Sequence, residues 1–141
     1  MPRLFASLLL FSLLAGCVFQ AAPASGSVLK DNPYAPQSGD GTQMRGEAEI
    51  ASASIQADGS NVLIQLAYRL PTPCYKLRVT ASGPDSQNKI SLEAYGVAPK
   101  DKPCSLMALS TPQQASLSLG SLPAGHYRAW VNGSQAGEFD Q

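Results

Sequence analysis

With 141 residues, the chain has room for one folded domain and its appendages. Charged residues make up only 14% of it, against about 25% in an average soluble protein, and Ser, Gly, Pro and Ala are plentiful. Ten basic and ten acidic residues cancel; without a basic surplus to neutralise a phosphate backbone, nucleic acid is excluded as an expected partner.

Taken in chain order, residues 1–16 have the make-up of an export leader. Arg3 supplies a positive charge, residues 4–14 form an almost unbroken apolar run, and small residues precede Cys17. The run is too short for a membrane-spanning helix, which needs about 20 apolar residues. Leu14-Ala15-Gly16-Cys17 resembles the lipobox of bacterial lipoproteins at every position. That resemblance implies cleavage before Cys17, lipid on its sulfur, and an anchored protein facing the extracytoplasmic side of the cell envelope. Val18 is not the aspartate that resembles an inner-membrane retention mark, so inner and outer membrane both stay open.

Residues 17–42 read as the lipidated cysteine followed by a flexible linker, with Pro23, Pro33 and Pro36 among Ala, Ser, Gly and Asp. Asp31-Asn32-Pro33-Tyr34 is its one cluster, and Gly39-Asp40-Gly41 reads as a hinge. From residue 43 to 141 the pattern changes to period two with turn residues between, which predicts an all-β domain.

Ala48 and Ile50 keep one parity and Ala53 and Ile55 the other, predicting a bulge or a switch of sheets near Ser52. Val62, Ile64, Leu66, Tyr68 and Leu70 share one face of a strand. Leu77, Val79 and Ala81 alternate with Lys76, Arg78 and Thr80, which places Arg78 on a solvated side. Ile90, Leu92 and Ala94, then Leu117 and Leu119, then Tyr127, Ala129 and Val131 repeat the alternation. Asp58-Gly59-Ser60-Asn61, Gly83-Pro84-Asp85, Pro123-Ala124-Gly125 and Asn132-Gly133 supply turns, the last being the strongest hairpin signal. About seven strands at this spacing predict a two-sheet β-sandwich.

Leu122-Pro123-Ala124-Gly125-His126-Tyr127 resembles the tyrosine corner of such sandwiches, which implies a Tyr127 hydroxyl bonded to upstream backbone. Residues 50–139, with Leu70-Pro71-Thr72-Pro73-Cys74 and Val131-Asn132-Gly133 in particular, are similar to a group of environmental-bacterial lipoproteins with immunoglobulin-like domains. Together the two resemblances imply an immunoglobulin-like Greek-key β-sandwich, and the second an anchor, but neither carries an activity.

Cys74 and Cys104 remain once Cys17 is lipidated, and an even pair in an exported domain reads as a disulfide. A metal site lacks ligands, since His126 is the sole histidine, and no cofactor is expected. His126 has no acid beside it in sequence, although Asp58 or Asp140 could reach it in space. Glu47, Glu49, Glu93 and Glu138 read as members of solvated faces, so the chain is not expected to be an enzyme. His126, Arg128 and Trp130 fall in a row on the polar side of one strand and form the candidate binding face, because Trp and Arg combine contact area with a polar handle. The expected function is a membrane-anchored binding module for an envelope protein or glycan, with a purely structural envelope component as the alternative and a hydrolase the remotest.

Overall fold

The computed structural model describes residues 28–104, 107 and 111–141. The expected leader, Cys17 and the first part of the linker lie outside the described residues. What is described is an all-β, immunoglobulin-like sandwich of nine strands without an α-helix. The strands are β1 (Leu29–Lys30), β2 (Met44–Glu47), β3 (Glu49–Asp58), β4 (Asn61–Arg69), β5 (Lys76–Ser82), β6 (Lys89–Ala98), β7 (Gln113–Leu119), β8 (His126–Val131) and β9 (Ser134–Asp140). Two more appear than alternation suggested. Residues 44–58 divide between the sheets at Ala48, and a two-residue strand forms where a linker was expected.

One sheet runs β1-β7-β4-β3, and the other contains β5, β6, β2, β8 and β9. Ile64 and Leu66 of β4, Ile90 of β6, Leu117 of β7, and Val79 and Val131 are all but inaccessible between them. Every one belongs to the apolar parity of its strand, so hydrophobic alternation alone fixes which face turns inward. The parity change is a register shift between Ile50 and Ser52 against β4. The Tyr127 hydroxyl donates to the carbonyl of Pro123 at 2.8 Å, closing the tyrosine corner, and its ring stacks on Phe139 at 5.5 Å.

Pairing around β6 is less regular. β5 covers one side in antiparallel register, while the other is shared by antiparallel β2 at Tyr95 to Ala98 and parallel β8 at Lys89 to Leu92. Parallel neighbours cannot be joined by a tight turn; here β7, in the opposite sheet, supplies the crossover between β6 and β8.

The domain begins earlier than residue 43, and residues 28–42 are a docked strap rather than a free linker. Leu29 is buried and pairs with Leu119 of β7. The chain then turns at Asp31, whose φ is 46°, and crosses to the border of β5. There the Val79 N–H donates to the Tyr34 carbonyl at 2.8 Å, and the Asn32 side-chain amide donates to the Val79 carbonyl at 2.8 Å. These bonds satisfy main-chain groups that an edge strand otherwise leaves open.

Arg78 is correspondingly not solvated. It is buried, donating Nε to Asp40 Oδ2 at 2.7 Å and Nη2 to Asp40 Oδ1 at 3.2 Å. Asp40, in a 3-10 turn and not a hinge, also accepts from the Gln37 N–H at 2.7 Å. Hydrogen bonds from Arg78 first, then Gln37, hold its pKa below the ordinary 3.8. The folded value being the lower, the clamp contributes fully above the ordinary value and is lost as pH falls through the lowered one.

Cys74 and Cys104 form a disulfide, with Cα atoms 5.8 Å apart. It sits beside Tyr75, whose ring fills the space that side chains at the paired Gly46 and Gly96 would need; a Cβ on Gly46 would lie 2.5 Å from it. For a loop of 30 residues, the chain-entropy model gives about 3 to 4 kcal/mol of stabilisation. Reduction, or a Cys74→Ala/Cys104→Ala pair, is therefore expected to lower the melting temperature of a domain that still folds. A bridged peptide in a non-reduced digest and chemical denaturation check this; equal stability with and without the bridge contradicts it.

Candidate functional site

The outer face of the five-stranded sheet carries the candidate residues. His126, Arg128 and Trp130 alternate with buried Tyr127, Ala129 and Val131, as period two requires. Trp130 lies opposite Ser91 and Arg128 opposite Lys89 on β6. The Lys89 ammonium sits 4.6 Å from the centre of the indole. Further along, the Arg45 guanidinium stacks 3.7 Å above the Tyr95 ring and also pairs with Glu93. Two aromatic–cation pairs thus occur on one face, each an attraction of cation to ring quadrupole.

Trp130 is half-buried rather than fully displayed. Its Nε1 is buried and has no hydrogen-bond partner among the described residues, where the desolvation cost of an N–H is then uncompensated.

Asn132 makes this face continuous. It opens the β8–β9 turn with φ 47°, followed by Gly133 at φ 82°, the pairing a primed two-residue hairpin demands. Its main-chain N–H donates to the Leu92 carbonyl at 3.0 Å. Its side chain accepts from the Ala94 N–H at 2.8 Å and donates to the carbonyls of Ala94 at 2.9 Å and Ala48 at 3.3 Å. The amide therefore takes the place of a strand residue in the gap between the ends of β2 and β8. An open groove of about 500 Å³ passes over this point, lined by Arg45, Gly46, Glu47, Glu93, Ala94, Tyr95 and Asn132. Alternation marked Trp130 and Arg128 but not Arg45 on β2 and Tyr95 on β6, which reach the same face from other strands, nor Asn132 in the turn that follows β8.

His126 has acquired two acids. Its Nδ1 is 2.7 Å from Asp140 Oδ1 and its Nε2 is 3.2 Å from Glu138 Oε2, both on β9. Asp140, one of the two distant candidates, meets it; Asp58 lies in the other sheet. Both ring nitrogens are occupied by carboxylates, which leaves neither to take a proton from a serine or cysteine. All three groups are exposed. Among the described residues, no cluster of His, Cys, Asp and Glu could hold a metal ion.

No protein-family model, curated protein or solved structure matches the chain.

Hydrogen bonds from Asp140, then Glu138, raise the His126 pKa above its ordinary 6.5. A raised folded value means that the contribution is complete below the unfolded value and is lost as pH rises through the folded one. Because the group is exposed, the effect is small and screened by salt. The melting-temperature difference between wild type and His126→Gln is expected to be largest just below pH 6.5, to fade toward alkaline pH, and to shrink in high salt. A difference that grows with pH contradicts this arrangement.

Proposed function

We propose that the chain is a lipid-anchored, non-catalytic recognition module of the bacterial envelope, and that it meets its partner with the outer face of the five-stranded sheet. The anchor rests on Leu14-Ala15-Gly16-Cys17 and the apolar run before it. The observation that carries the binding role is the unpartnered indole N–H of Trp130 beneath Lys89, in a face that also presents Arg128 and the Arg45–Tyr95 pair. An acceptor delivered by a partner as Lys89 swings aside satisfies that N–H and meets two cations. Indole, phenol and guanidinium groups are those that contribute most at recognition surfaces.

The partner is an envelope protein or a glycan. The second reading, a structural component of the envelope, draws on the same indole, since a half-buried Trp130 also covers its own sheet.

Cys17→Ser is expected to abolish incorporation of a labelled fatty acid and normal processing; label retained in that variant removes the anchor. For recognition, the domain is used to capture partners from its own envelope extract and to probe a glycan array. Arg128→Glu, at a partly exposed position, is expected to leave the melting temperature within a few degrees and to weaken capture about tenfold or more, the loss of roughly 1.4 kcal/mol at an interface. Trp130→Ala is expected to weaken it further. Full capture by both variants moves the site elsewhere, whereas unfolding by Trp130→Ala with Arg128→Glu neutral favours the structural reading.

A further inference from the structure

Sheet borders expose unpaired main-chain groups, and folded proteins cover, charge or bend them. Several borders of this sandwich are at least partly covered by described residues. β3 and β9 lie side by side, and the strap at Asn32 to Tyr34 pairs with β5 at Val79. Among the described residues, β7 is covered only where Leu29 and Lys30 pair with Leu119 and Ser118, because the chain leaves at Asp31 for the other sheet.

The phase of the remaining edge is fixed by the bonds at its end. The Gly120 N–H donates to the Val28 carbonyl at 2.7 Å, and Lys30 lies opposite Ser118. In an antiparallel ladder, alternate residues face the same way. The main-chain groups of Ser116 and Gln114 therefore point away from β4, and no described residue pairs with them.

We propose that the chain self-associates by antiparallel pairing of this open edge, residues 113–117, with the same edge of a second copy about a twofold axis at Ala115. Gln114 of one copy then lies opposite Ser116 of the other, the two exchanging both main-chain hydrogen bonds, and the axis repeats the pair. The window is bounded by Pro112 on one side and by Lys30 beside Ser118 on the other. A copy shifted one way runs further into Lys30 and one shifted the other way sets Pro112, which has no N–H, against Ser116; the centred register pairs every outward group of the window, with each chain turning away at Pro112 where Lys30 fills the place beside Ser118. An isologous contact must be self-complementary, and this one is. β7 carries no charge, proline or glycine. The outward Ser54, Gln56, Leu63 and Gln65 of the neighbouring strands are uncharged too, so two copies approach without like-charge repulsion.

The test uses residues 18–141, exported behind a cleavable leader so that the disulfide forms. Sedimentation velocity over about a hundredfold concentration range is expected to show mass rising from monomer toward dimer by mass action. Amide exchange at Gln114 and Ser116 is expected to slow about tenfold between the dilute and the concentrated ends. Ser116→Pro removes an outward N–H without breaking a bond to β4, and Ser116→Lys sets like charges against each other across the axis. Both are expected to stay monomeric over that range with little change in melting temperature, and Arg128→Ala, on the other sheet, to dimerise like wild type. Should Ser116→Pro fail to fold, Ser116→Lys decides alone. A wild-type chain monomeric throughout, or a dimer that the folded Ser116 variants leave intact, overturns the proposal.

Discussion

The five-stranded sheet is one surface because a single side-chain amide stands in for missing backbone. β6 carries two partners on the same border, β2 antiparallel and β8 parallel, and between them Ala94 would face a gap with its N–H and carbonyl unmet. Ala94 is buried, and each main-chain group left there without a partner costs about 1 to 3 kcal/mol. Asn132 supplies both partners and ties in Ala48 of the incoming strand. Its place at the start of a primed turn makes this possible, since the left-handed backbone that asparagine tolerates aims the amide back at β6. Arg45 and Tyr95 on one side, and Trp130 and Arg128 on the other, share a face through that bridge.

The strap solves a related problem on the opposite flank. Two sheets with open borders invite pairing with other chains, and the stretch from Val28 to Gln43 addresses both β7 and β5 before the chain enters β2. Its hold on β5 comes from polar groups placed at edge positions and from one charge pair with little access to water. Replacing one partner alone strands the other charge, the situation in which such pairs are most costly to break. The arrangement also fixes where the chain enters the sandwich, at the end that holds Gly120 and the β5–β6 loop.

Much of the architecture was legible because one face of each sheet is committed to the core. Strands β4 to β8, the change of parity near Ser52, the tyrosine corner and the Cys74–Cys104 bridge all follow from alternation, turn chemistry or cysteine count. Arg78 was misplaced for a physical reason: alternation reports which side of the sheet a residue leaves, not whether a distant segment then covers it. Asp40 sits in a Gly-rich run that reads as a hinge, and nothing local announces a guanidinium 38 residues away. Asp140 was one of two acids within reach of His126 in sequence, but the register that seats it and Glu138 at the imidazole was hidden by a bulge. From the Asn132-Gly133 turn, an unbroken ladder puts Phe139 opposite His126. The slip between Ala129 and Trp130 instead brings Phe139 against Tyr127 in the core and sets Asp140 beside the imidazole. Gly137 in β9 was the one available sign of it.

The account depends most on Asn132 as the bridge that makes the sheet and its candidate face continuous. Replacing it with glycine keeps the left-handed turn and deletes the amide; glycine's extra freedom in the unfolded chain lowers stability everywhere alike, so an effect confined to Ala94 and β2 reports the bridge. The decisive measurement is amide hydrogen exchange of Ala94 in wild type and Asn132→Gly, read together with that of Arg45 to Glu47 in β2. The account predicts that Ala94 is well protected in wild type, and that in the variant its exchange accelerates by about tenfold or more and β2 loosens while β4 and β7 stay protected. Ala94 exchanging at the same rate in both proteins, with β2 undisturbed, would contradict it.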